Sequence, residues 1–541
     1  MQAIRMCAAI FLGLSFAPGF ASPEPPTGQG SYSDLIGLFD EFETWRNPPI
    51  GRYQDYGAAA VTERLDELTG LRERMLDMNV RAWTLPQQVD YLAVRSRLDQ
   101  EWFRYRVSRP WARDPGFYVD RMLRVAFVEL PVPQGEREEV RNRLRAIPDW
   151  VEHAKANLTN VAADYADLAL HNLTRADGVG HGHPYRASPP AGVLGWFDDL
   201  LGRAHLQPEL KPDIEAARDA VRSFLDWLRS NRATMTADAG VGKAHFDWYL
   251  RQVKLMPYTS DEVVTLGQRE LDRLWSLYAL ERHRNRALPE LVISDSAEEY
   301  QARIERTDQH VRAFLEEQNI LTIPDFIGEL DTNAPWIVRP NGPNFWEQVQ
   351  FRDPHPDHLH AVIPGHRFDR LLAQNVDHPI RSRMFSGARA EGWAVYLEEA
   401  MLHAGMFEDL PRVRELIYIF GIFRAARVPA DVWLQLNRMS VAQVVDYWLE
   451  RVPYLDRDVA RVDAEIYLRR PPGYGLGYTI GMLQMQHLLA EQRRQQGDAF
   501  KLGAFHDEFL GKGWLPIALI RWEMTGLDDE IRTFWDWQPL P

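Results

Sequence analysis

A mainly α-helical body is what this chain of 541 residues predicts. Three features predict it: apolar residues recur at spacings of three and four, strict alternation is short and rare, and the composition (45% hydrophobic, 26% charged) gives ample material for a core.

The elements follow in order. MQAIRMCAAIFLGLSFAPGFAS carries one cation, Arg5, an apolar run from Met6 to Phe16, and small residues at Gly19 and Ala21, which reads as a cleavable signal over residues 1–21. That run is too short to span a bilayer. The expectation is therefore an exported protein, periplasmic or extracellular, with no stable membrane insertion once the signal is removed. Cys7, the single cysteine, lies inside the signal, so disulfide scaffolds, cysteine nucleophiles and zinc knuckles are excluded together.

PEPPTGQGSYSD (23–34) is a Pro/Gly-rich tether ending at Ser33 or Asp34 as N-cap, and Leu35, Leu38, Phe39, Phe42 and Trp45 then form one helical stripe. Helices are expected again over 61–78, 89–107, 136–147 and 214–230. The clearest strand-like pieces are WIVRP (336–340) and WEQVQF (346–351), which predict a small β element next to the site. Pro/Gly-rich interruptions at 178–192 and 332–344 are too short for obvious linkers, and the chain divides into a helical half over 22–255 and a site-bearing helical half over 256–541. The formal charge of −15 comes with no basic block, which argues against nucleic acid as the main partner and against a polybasic anchor.

HLHAVIPGHRF, residues 358–368, concentrates the chemistry. A catalytic zinc ion takes three protein ligands and keeps a fourth position open. His360 and His366 could supply two, but six residues on an ideal helix put them about 120° off a common face and about 9 Å apart. Pro364 should break the helix, and Gly365, free to adopt backbone angles closed to other residues, could swing His366 back. His358 and His355 are weaker ligand candidates. The third ligand would come from RAEGWAVYLEEAM (389–401), where Glu391 and Glu398 nearly share a helical face.

HAVIPGH followed by EGWAVYLEE resembles the paired motifs HExxPGH and EGWAxYxE of a bacterial family filed as domain of unknown function 885 and grouped with the gluzincin zinc peptidases. Further similar stretches, at 147–158, 246–274, 471–484 and 505–520, extend the likeness over most of the chain. The resemblance implies a helical, zincin-like body, one zinc ion held by His360, His366 and Glu391, a peptide as substrate or ligand, and a catalytic role for Tyr478 as hydrogen-bond donor to a developing oxyanion. Tyr474 departs from it, standing where glutamine is usual, and Tyr467-Leu468 replace an Arg-Tyr pair.

Ala361 is the larger departure. It occupies the place of the glutamate expected to deprotonate the attacking water, and losing a positioned general base costs about 10²- to 10⁴-fold. Two functions stay open: an exported zinc-dependent metallopeptidase acting on short peptides or amides, with Glu398, His358 or Asp357 as substitute base, or a catalytically impaired scaffold that binds peptides or an envelope partner without chemistry.

Overall fold

The computed structural model describes residues 24–47, 55–176, 188–331 and 335–541. The proposed signal, residues 1–21, lies outside the described residues, as does most of the 178–192 interruption. Helix α1 (Tyr32–Arg46) starts before the expected cap: Ser31 accepts from the Asp34 N–H, and the Asp34 carboxylate accepts from the Ser31 N–H in return. Its stripe of Leu35, Leu38, Phe39 and Phe42 is buried as predicted. The other expected helices form as α2 (Ala58–Leu76), α3 (Leu85–Phe103), α4 (Arg137–Asn157) and α5 (Lys211–Asn231). In α4 the helix continues through Pro148 well past residue 147.

Long helices also build the second half, beginning with α6 (Ser260–Arg284) and α7 (Ala297–Glu317). The small β element expected beside the site is not there. Among the described residues only two isolated bridges occur, Thr27 with Asn79 and Ala162 with Ala237. Residues 336–339 have no regular structure, and WEQVQF falls almost wholly within helix α8 (Phe345–Gln350). Reciprocal capping decides this: Asn344 accepts from the Glu347 N–H and Glu347 accepts from the Asn344 N–H, while Phe345 and Val349, one turn apart, bury one face.

Four further helices position the site: α9 (His366–Gln374), α10 (Gly387–His403), α11 (Pro411–Gln435) and, after α12 (Arg457–Arg469), α13 (Gly477–Gln496). α11 is buried on nearly every side, and its interior arginines are paired, Arg424 with Glu398 and Arg427 with Asp463. Lone buried cations would be costly, so these pairs register α11 against α10 and α12. Helices α10 and α13 cross at Gly392 and Gly481, where a β-carbon on Gly392 would lie 2.5 Å from the Gly481 carbonyl carbon. That crossing brings Glu391 and the Tyr474–Tyr478 segment to one place. No helix among the described residues is long and apolar enough to cross a membrane.

Candidate metal centre

The histidine stretch folds as a corner. A wide helical turn over His358–Val362 closes with the Ile363 N–H donating to the His358 carbonyl at 3.1 Å; the Ile363–Pro364 peptide is cis, and α9 begins at His366. Gly365 is needed for a reason other than the expected one. Its φ of −77° is ordinary, but a β-carbon there would run into the backbone carbonyls of His360 and Leu359. The chain doubles back over its own previous turn so closely that only a hydrogen fits, and this sets the two imidazoles 4.6 Å apart, nearly perpendicular.

Glu391, in the second turn of α10, completes the group. His366 Nε2 lies 3.2 Å from His360 Nε2 and 3.2 Å from Glu391 Oε2, and His360 Nε2 lies 3.6 Å from the same oxygen. Zinc bonds to these donors are about 2.0–2.1 Å long, so a tetrahedral site has edges of about 3.3–3.4 Å. The measured triangle has the size and the N, N, O donor set that zinc takes. Among the described residues these three form the single cluster of metal-ligand type. His360 and Glu391 are nearly buried, at 11% and 13% side-chain exposure, whereas His366 is 33% exposed, so the cluster is reached from the His366 side.

A second layer holds the donors. His360 Nδ1 sits 2.8 Å from Glu398 Oε1, and Arg424 holds the other Glu398 oxygen at 2.5 Å. A proton kept on Nδ1 toward Glu398 leaves the Nε2 lone pair facing the centre, the arrangement that makes a good metal ligand. Tyr474 donates from its hydroxyl to Glu391 Oε1 at 3.2 Å, leaving Oε2 for the cluster. Asp369 of α9 pairs with Arg389 of α10, both fully buried, and accepts from Trp514 Nε1 at 2.8 Å. Trp393 Nε1 donates to the Pro364 carbonyl at 3.0 Å, tying the corner to α10.

Electrostatics follow from this crowding. Burial would raise the Glu391 carboxyl, but the His366 charge and the hydrogen bonds of both imidazoles hold it well below the ordinary carboxylate range. Burial and Arg424 push His360 down, and the Glu391 and Glu398 carboxylates more than offset them, leaving it raised. Burial, with Glu391 nearby, raises both tyrosines, so Tyr474 and Tyr478 stay protonated hydroxyls at neutral pH.

Of the residues singled out in the sequence, His360, His366 and Glu391 come together. Tyr478 lies beside them, its ring parallel to His360 at 6.4 Å and beneath the Arg427 guanidinium at 4.7 Å. The other candidates face elsewhere. His358 Nε2 meets Asp308 of α7 at 3.0 Å; His355 is held by Asp353 at 2.6 Å and His310 at 2.9 Å; Glu398 is committed to His360 and Arg424. Of the substitute bases expected from the sequence, His358 and Glu398 are thus already engaged, and the third, Asp357, is buried, as is Ala361. The sequence reading missed Asp369 and Arg389, and it marked Tyr474 only as a departure from the family pattern, not as a partner of Glu391. Asp369 and Arg389 carried a signal, an acid and a base each within three residues of a member of the cluster, on separate helices.

Fold and cluster define a mainly helical protein with two histidines and a glutamate, drawn from a corner and the following helix, at metal-ligand spacing. The chain belongs to the family described as a bacterial protein of unknown function, DUF885, whose model matches residues 36–335 and 357–524. No curated protein matches it. Solved structures share the fold, two of them as follows. One, from Shewanella oneidensis, is provisionally described as a lipoprotein of unknown function: TM-score 0.69, 17% identity, covering 92% of this chain and 100% of its own. The other, from Colwellia psychrerythraea and likewise provisionally described as a lipoprotein, has TM-score 0.68 and 16% identity over 91% and 98%.

Proposed function

We propose that this chain is an exported, zinc-binding protein of metallopeptidase type, acting on short peptides or amides, whose turnover is slowed by Ala361. The observation that carries the reading is the triangle of His360 Nε2, His366 Nε2 and Glu391 Oε2, with edges of 3.2, 3.2 and 3.6 Å. Zinc held there supplies a Lewis acid that polarises the scissile carbonyl. Glu398 keeps His360 in the ligating tautomer. Tyr474 fixes the rotamer of Glu391, and Tyr478, protonated and next to Arg427, offers a donor for negative charge developing on the carbonyl oxygen. Export rests on the signal-like residues 1–21, and the lipoprotein descriptions of the two structural neighbours support an envelope location.

A second reading, a scaffold that binds peptides or an envelope partner without chemistry, is favoured by Ala361 itself, because a methyl group cannot take a proton. Two measurements separate them. Metal analysis of protein stripped with chelator and reloaded is expected to give one zinc per chain, lost in His366→Ala; no bound zinc overturns both readings of the centre as a metal site. Cleavage of a peptide library should then be weak in the parent and rise about 10²-fold or more in Ala361→Glu, the size of a restored general base. No cleavage by either protein leaves the scaffold.

A further inference from the structure

A cleft of about 190 Å³ opens between the end of α3 and the segment that joins α12 to Tyr474. Its walls carry four arginines, Arg104, Arg113, Arg469 and Arg470, against two acids, Glu101 and Asp114, in a chain whose formal charge is −15. The acids are already matched, Glu101 by Arg104 at 3.2 Å and Asp114 by Arg469 at 2.8 Å, and Arg469 is neutralised further by Asp120 at 2.8 Å and Glu465 at 2.7 Å. Arg113 is held by the backbone carbonyls of Asp238, Ala239 and Gly240. Arg470 differs from these three: it is exposed, has no carboxylate partner among the described residues, and lies over the Tyr474 ring at 4.5 Å. A guanidinium stacked on an aromatic face keeps its planar fork of donors free, the geometry that reads a carboxylate bidentately.

Its position relative to the candidate metal centre is what gives it a role. Tyr474 spans the two, with its ring under Arg470 and its hydroxyl 3.2 Å from Glu391 Oε1. From the Arg470 guanidinium to the ligand carboxylate is thus at most about 11 Å, a span covered by about three residues of extended chain at ~3.5 Å each.

We infer that this cleft binds the free α-carboxylate of a short peptide through Arg470, so that the protein selects chain ends whose last one to three residues follow the carbonyl presented to the metal centre. The inference rests on the peptide reading of that centre and deepens it. It makes Arg470 a specificity determinant.

Calorimetric titration of the full chain tests it, with a tripeptide as free acid, as carboxy-terminal amide and as N-acetyl acid, on zinc-loaded and on zinc-free protein. The free acid and its N-acetyl form are expected to bind at least about 10-fold more tightly than the amide. Arg470→Gln should erase that preference and Arg470→Lys restore part of it, with zinc stoichiometry unchanged in both. Should zinc fail to bind at all, the preference for the free acid is still expected in the zinc-free arm, so the two readings fail separately. Equal binding of acid and amide, a preference that survives Arg470→Gln, binding of neither peptide, or tighter binding of inorganic phosphate than of the free acid would each overturn the inference.

Discussion

Two sets of histidines lie within twelve residues of one another and meet opposite fates. His360 and His366 turn ring nitrogens toward a shared glutamate oxygen, while His355 and His358 are each closed off by an acid, Asp353 and Asp308, with His310 against His355. Residue type is the same in both sets, and so is burial of the surrounding corner. The difference lies in how the acids are supplied. His360 has an acid of its own on Nδ1, Glu398, but its Nε2 shares Glu391 with His366 in a three-pronged cluster, whereas His355 and His358 each meet a separate acid and share none.

The contrast can be broken from either side, and the largest effect should come from the shared acid. Glu391→Ala is expected to abolish stoichiometric zinc binding, while Asp308→Ala keeps one zinc per chain; retention by the first, or loss by the second, in metal analysis would dissolve the distinction. Next is the corner itself. Gly365→Ala drives a β-carbon into the His360 carbonyl, and urea unfolding should register a loss of about 3 kcal/mol or more together with loss of zinc.

A third kind of histidine sharpens the comparison through pH. His506 is fully buried, accepts from the Tyr396 hydroxyl at 2.9 Å and contacts the Ile320 carbonyl at 2.7 Å, and burial depresses it to about 4. The unfolded chain takes up a proton near pH 6.5 that the folded protein refuses until about 4, so this group's stabilisation is complete above pH 6.5 and lost as pH falls. Between pH 7 and 4.5 the difference amounts to about 2–3 kcal/mol. His506→Gln should flatten the stability profile in that window by this amount; a slope identical to the parent's would remove His506 from the account. Smallest is the second layer: Glu398→Gln should weaken zinc about 10- to 100-fold without changing stoichiometry, and His358→Asn should leave the affinity as it is.

How far the sequence carries depends on how local each cause is. Helix stripes such as Leu35, Leu38, Phe39 and Phe42 are local and were legible, as was the convergence of His360, His366 and Glu391 once they were set beside a family pattern. Helix α8 was misread as a strand, although Asn344 and Glu347 form a capping signature that outweighs the apparent alternation of WEQVQF. The fates of His358 and Glu398 were not legible. They are settled by Asp308, 50 residues earlier, and Arg424, 26 residues later, neither marked by spacing. Gly365 was identified for the wrong cause, because φ freedom is the commoner reason for glycine and close backbone approach is visible only in three dimensions.

The most direct test of the central claim is anomalous diffraction at the zinc edge from crystals of the zinc-loaded protein. A single peak about 2.0–2.2 Å from His360 Nε2, His366 Nε2 and Glu391 Oε2 is the predicted result. A peak between His310 and His355, or none at the corner, would contradict it.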